Sequence, residues 1–211
     1  MTVLLPDLEK VKNAAQYTHH TSLGNKIIYD MCKDYPRHDD EEEIQSKIWL
    51  IGRAYSATLE RRRTIGINTE DLYSQVASSL KASDIDAQIR VLLDKKVNYI
   101  DYHDDETINQ VLELHNDFVS ILYRHVKMNK RSLASKYLHF HLPNLVFLYD
   151  NIAVNTVGDY VKDFKSRKSD ANYDWDYAIF YRKMLILRDE IHLKHDIQLN
   201  PRQLDQLLLG Y

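Results

Sequence analysis

Apolar residues recur along most of the chain at intervals of three and four, the period of helices packed on one face. The clearest stripe is Ile44, Ile48, Ile51, Tyr55 and Leu59. Asp39 or Asp40 precedes it as an N-cap. Glu41, Glu42 and Glu43 then sit on the positive end of the helix dipole, and Arg61, Arg62 and Arg63 close it on the negative end. A second long stripe, Ile108, Val111, Leu112, His115, Phe118, Val119 and Leu122, predicts a helix from Thr107 to Lys127 led by Asp104 and Asp105. Shorter helices are predicted from Leu8 to Tyr17, from a Ser22 cap to Cys32, from Asn68 or Thr69 to Lys81, and from Ser83 or Asp84 to Asp94. Ser132 is placed to cap a helix ending at Phe140. A Pro-containing loop, His141 to Asp150, leads to helices at Asn151–Phe164, Asp174–Leu193 and Pro201–Leu209. Asn200-Pro201 is a start signal, a cap followed by the residue that suits the first helical position. The one strand-like run is Leu145 to Tyr149.

Composition agrees with that string. Only 5 Gly and 4 Pro occur in 211 residues, too few for a turn-dense sandwich or barrel or for a Gly-rich phosphate loop. The chain is therefore expected to be all-α, with about ten short to medium helices in one compact domain, 1–211, of one or two lobes. Gly66 or the stretch from Lys95 to Glu106 is where a soft boundary would fall, and neither is a linker by composition. Cys32 is the sole cysteine, which excludes an internal disulfide and a multi-cysteine metal or iron–sulfur site. No cofactor is expected, and a reducing, cytoplasmic setting is. No apolar run reaches the roughly 20 residues of a membrane span, so no membrane partner is expected. The net charge of −3 forces no partner, and local charge matters more.

That local charge is uneven. From Phe118 to Tyr149 there is no Asp or Glu, while Arg124, Lys127, Lys130, Arg131 and Lys136 all fall there. A basic helix end followed by a new helix start, with its free N–H groups from Ser132 onward, is the footprint of phosphate binding. The same cations also suit a solvated helix C-terminus. Lys136 lies in an apolar helix beside Leu133, Tyr137 and Phe140, and Asp150 opens the helix after the loop. A desolvated lysine near a carboxylate is an amine nucleophile in waiting, because burial frees its lone pair. The plainer reading is a snorkelling lysine and a helix-capping aspartate. Ser132, Tyr137, His139, His141 and Tyr149 are expected to line a pocket around the pair.

The run from Ser132 through Lys136, His139, His141, Pro143, Phe147, Tyr149 and Asp150 resembles the core of the helix-hairpin-helix DNA glycosylase superfamily. It is more similar to divergent bacterial proteins with an 8-oxoguanine-glycosylase-like fold than to the classical members. The tail Pro201-Arg-Gln-Leu-Asp205 is similar to the close of such proteins. The resemblance implies DNA as partner and base-lesion recognition with glycosylase/lyase chemistry. Lys136 would attack the deoxyribose C1′, Asp150 would assist cleavage, and Arg124, Lys127, Lys130 and Arg131 would hold phosphates. The chain departs from the family in a glycine-free hairpin, Lys127 to Ser135, and in a shorter spacing from Lys136 to Asp150.

Two other readings rest on different residues. His38-Asp39-Asp40, His103-Asp104-Asp105 and His195-Asp196, with His19-His20 as an outlying ligand, are the donor types of a metal-dependent His-Asp phosphohydrolase. Helix capping also accounts for the first two pairs, and His192 with His195 could chelate at a helix end. Of the 15 tyrosines, Tyr149, Tyr160, Tyr173, Tyr177 and Tyr181 crowd the last third, with Trp175. They suit stacking on a base, a helix–helix core, or the contact face of a non-catalytic interaction module.

Overall fold

The computed structural model describes residues 1–16, 22–61, 68–96 and 99–210. The fold is all-α. Among the described residues the helices are α1 Leu8–Ala15, α2 Ser22–Asp34, α3 Glu41–Ala54, α4 Thr69–Lys81, α5 Ile85–Asp94, α6 Asp105–Val126, α7 Arg131–His141, α8 Asn151–Tyr160, α9 Trp175–His195 and α10 Pro201–Leu209. A short 3₁₀-helix, Lys168–Asn172, precedes α9. No helix among them is long and apolar enough to cross a membrane.

Most helix starts follow the capping signals in the sequence. Asp40 accepts from the Glu42 and Glu43 amides at 2.8 and 3.0 Å. Asn68, Asp104, Asp150, Asp174 and Asn200 cap their helices in the same way, each satisfying an amide that the first turn leaves without a partner. The side chain of Ser22, Tyr17, His19, His20, Arg62, Arg63 and Gly66 lie outside the described residues.

Four expectations are corrected. The third helix ends at Ala54, well before Arg61. Ser56 takes a left-handed conformation, φ 52°, and the chain doubles back so closely that a Cβ on Gly52 would sit 3.2 Å from the Thr58 Cα. Helix α8 stops at Tyr160 rather than Phe164, because β2, Val161–Lys162, pairs antiparallel with β1, Thr2–Val3. Ser132 is not a cap: α7 starts one residue earlier, and the serine hydroxyl turns inward.

The fourth correction concerns the run Leu145 to Tyr149, which belongs to no sheet: Leu145 still lies in the turn that follows α7, and Leu145 to Leu148 are buried. A buried backbone needs hydrogen-bond partners, and here side chains of two helices supply them. From α9, the Tyr181 hydroxyl donates to the Leu145 carbonyl at 2.7 Å and the Tyr177 hydroxyl to the Phe147 carbonyl at 3.2 Å. From α7, His139 Nδ1 donates to the Val146 carbonyl at 2.8 Å and Lys136 Nζ to the Tyr149 carbonyl at 3.2 Å, while Ser135 Oγ accepts the Tyr149 amide at 2.9 Å. The tyrosines of α9 are thus core residues whose hydroxyls replace a missing strand. Tyr181→Phe strands one buried carbonyl and should cost about 1–2 kcal/mol. Thermal unfolding of the variant, lower by a few degrees, checks this.

Helix α7 is the hub. It packs on α2, α3 and α6, while α1, α8, α9 and α10 pack against one another on the other side. Every residue from Leu133 to His141 is buried. One continuous apolar cluster runs from Val11 in α1 to Leu208 in α10.

Candidate functional site

A helix buried all round offers each neighbour a different row of side chains, spaced by three or four residues. Ser135 and His139 face the extended segment. Tyr137 and His141 face the loop before α3: the Tyr137 hydroxyl lies 2.7 Å from His38 Nε2, and the rings of His38, Tyr137 and His141 stand 5.1–5.6 Å apart. The third row, Ser132, Leu133 and Lys136, faces an open cleft of about 510 Å³.

Lys136 and Asp150 share that cleft, with Nζ 4.0 Å from Asp150 Oδ2. The amine donates to Ser132 Oγ at 2.8 Å as well as to the Tyr149 carbonyl. Lys136 is only 5% exposed. Burial pulls its pKa below the ordinary lysine value; Asp150 and Asp205 oppose that pull and Arg202 adds to it. Asp150 caps α8 through the Ala153 amide at 2.9 Å, which fixes its carboxylate at the cleft edge. Tyr149 and Ser132 line the cleft as expected. Tyr137, His139 and His141 do not: α7 carries them on its other two rows. His139 is also tied to the Tyr29 hydroxyl at 2.6 Å, and burial holds it at about 4, so it is neutral.

The cations of the acid-free run part company in three dimensions. Arg131 is engaged by acids distant in sequence, with Nε 2.6 Å from Asp174 Oδ1 and Nη2 2.9 Å from Asp176 Oδ2. Lys130 ties the hairpin to the turn after α3, donating to the Thr58 carbonyl at 3.2 Å and the Arg61 carbonyl at 2.5 Å. Neither is left for a phosphate in this state. The side chains of Arg124 and Lys127 are exposed, without hydrogen bond or ion pair to a described residue. Arg124 lies in a groove beside the cleft with Tyr123 and Trp175, and Asn129 lines both. Arg61 adds a cation to the cleft wall. Lys127, φ 53°, takes the left-handed position that ends α6, where the hairpin has no glycine.

Three residues at this site escaped the sequence reading. The Tyr55 ring lies between two cations, 6.0 Å from Lys136 Nζ and 5.6 Å from Arg202 Cζ. Arg202 and Asp205 project from α10, which the sequence marks as a helix start and a family-like tail but not as part of the site. Asp205 is buried, 3.4 Å from Arg202 Nη1, and its Oδ1 has no partner.

The histidine pairs disperse. His38 turns from Asp39 to Asp86, with Nδ1 2.5 Å from Oδ1. Asp40 and Asp104 cap helices, and Asp105 faces Arg167 and Arg182. The His192 ring stands 6.2 Å from that of Tyr99. Among the described residues no three His, Cys, Asp or Glu side chains converge as metal ligands. No family model, curated protein or solved structure matches the chain.

Proposed function

We propose that this protein binds DNA at a damaged base and releases that base by glycosylase/lyase chemistry, as a relative of the helix-hairpin-helix glycosylases. One observation carries the reading: a desolvated lysine amine and a fixed carboxylate 4.0 Å apart in one open cleft, at the foot of the α6–α7 hairpin. A buried amine reaches its neutral, nucleophilic form more readily than a surface lysine. Lys136 Nζ attacks C1′, the N-glycosidic bond breaks and the base leaves with its electron pair, taking up a proton. Asp150 offsets the positive charge that builds on the sugar. Ring opening then gives a Schiff base between Lys136 and C1′.

The test is borohydride reduction on a duplex carrying an abasic site. A covalent adduct supports the reading, and no adduct on abasic or lesion-bearing duplexes rejects it. Backbone contact falls to the unpaired cations. Arg124→Glu and Lys127→Glu should each lower the slope of log affinity against log salt by about one. An unchanged slope in the double variant removes both from the interface.

A further inference from the structure

A separate cavity of about 690 Å³ opens between the end of α2, α5, the end of α7 and the start of α10. That volume falls within the range of small-molecule sites. Its walls are mostly apolar. Ile89 and Leu93 line it with Tyr29 and Phe140, whose rings stand 4.6 Å apart and tilted 58°. Neither Lys136 nor Asp150 lines it.

The polar part of the lining is lopsided. It includes two cations, Lys33 and Arg202, and no carboxylate. Lys33 is exposed and has no hydrogen bond or ion pair with a described residue. Arg202 has only a long contact to an acid, 3.4 Å from Asp205 Oδ2. Burial pushes that acid up to about 7, so near neutral pH much of the Arg202 charge is left uncompensated. The His141 ring forms part of the wall, and its buried Nε2 has no hydrogen-bond partner. Burial holds this histidine well below its usual value, so it adds no third cation to the wall.

We propose that this cavity binds a small planar molecule carrying one anionic group, an aromatic or heteroaromatic carboxylate. The ring lies against Leu93, Tyr29 and Phe140, and Arg202 and Lys33 receive the anion. Apolar walls take a flat ring regardless of charge. The two cations select the sign: they form charge-assisted hydrogen bonds with a carboxylate and repel an amine. The inference uses neither Lys136 nor Asp150. It shares Arg202 with the Lys136 site, and Lys33, which lies away from that site, separates the two readings.

Two probes of one shape test it, 2-naphthoate and the neutral 2-naphthamide, each titrated into the ¹⁵N-labelled full chain and followed by NMR. The expected result is perturbation of the Leu93, Phe140 and Arg202 amides, with naphthoate binding about tenfold tighter than naphthamide. Arg202→Gln should remove that advantage and leave naphthamide binding unchanged. Lys33→Gln changes an exposed side chain, keeps the fold, and should weaken naphthoate about threefold. Leu93→Trp, also at a half-exposed position, should fill the cavity and weaken both probes. Equal binding of the two probes, naphthoate affinity unchanged in both charge variants, or perturbations away from the cavity would overturn the proposal.

Discussion

Lys136→Met protein should form no borohydride-stable adduct with abasic duplex, a loss of about 10³-fold or more for removal of a nucleophile. Methionine keeps the length and most of the volume of the lysine stem, so the packing against Leu133 and Tyr55 survives. The cost is two lost hydrogen bonds, to Ser132 Oγ and the Tyr149 carbonyl. That is about 1–2 kcal/mol, a few degrees of melting temperature and not unfolding. Because only the neutral amine attacks, the native rate should climb with pH. It should level off below the ordinary lysine value, since burial lowers the Lys136 pKa. Asp150→Asn separates the two roles. Asparagine still caps α8, and loss of the negative charge eases deprotonation of the amine. Trapping on a pre-formed abasic site should persist, while release of an intact base slows. A full-strength adduct in Lys136→Met would assign the chemistry elsewhere.

Asp205→Asn should be more stable than the native protein at pH 8 and nearly equal to it at pH 4. Burial raises the Asp205 carboxyl from 3.8 to about 7, against the pull of Arg202. Between those values the folded state keeps a proton that the unfolded chain has released. Native stability from this group therefore falls as pH rises from about 4 and levels off above about 7. At 1.36 kcal/mol per pH unit the full span is on the order of 4 kcal/mol. Asparagine cannot ionise and escapes the loss. The buried histidines His115, His139 and His141 titrate in the opposite sense, since burial lowers their values. They are common to both proteins, so the difference between the two denaturation curves isolates Asp205. A difference independent of pH would show that Asp205 is ionised in the fold throughout.

The helix string and most of its caps were legible because both are local. A stripe at helical spacing and an Asp or Asn before it lie within one or two turns of each other. The pairing of Lys136 with Asp150 was legible for a related reason: one loop joins the helix of the first to the cap of the second. What the sequence hid is long-range. The run from Phe118 to Tyr149 is acid-free along the chain, yet Asp174 and Asp176 fold onto Arg131. Tyr55 from the end of α3 and Arg202 and Asp205 from α10 meet around Lys136, and no spacing rule relates the three segments. Helix α7 gave no clear polar face because it has none. Its lysine, histidines and serines are polar partners for buried backbone and loops, so Tyr137, His139 and His141 point away from the cleft that sequence proximity to Lys136 suggested.

The run from Leu145 to Tyr149 acts as a spacer between two anchors. Its carbonyls are pinned alternately by side chains of α7 and α9, and its last residue abuts Asp150. One residue more or fewer would move Asp150 from its place 4.0 Å from Lys136, and would mismatch every pinned carbonyl downstream of the change. Loops ordinarily tolerate changes of length; this one cannot, and its length should be as constant among relatives as the two residues it spaces. The segment also depends on α9, whose Tyr177 and Tyr181 hold it in place, so the cleft is completed by a part of the chain that lies beyond it in sequence.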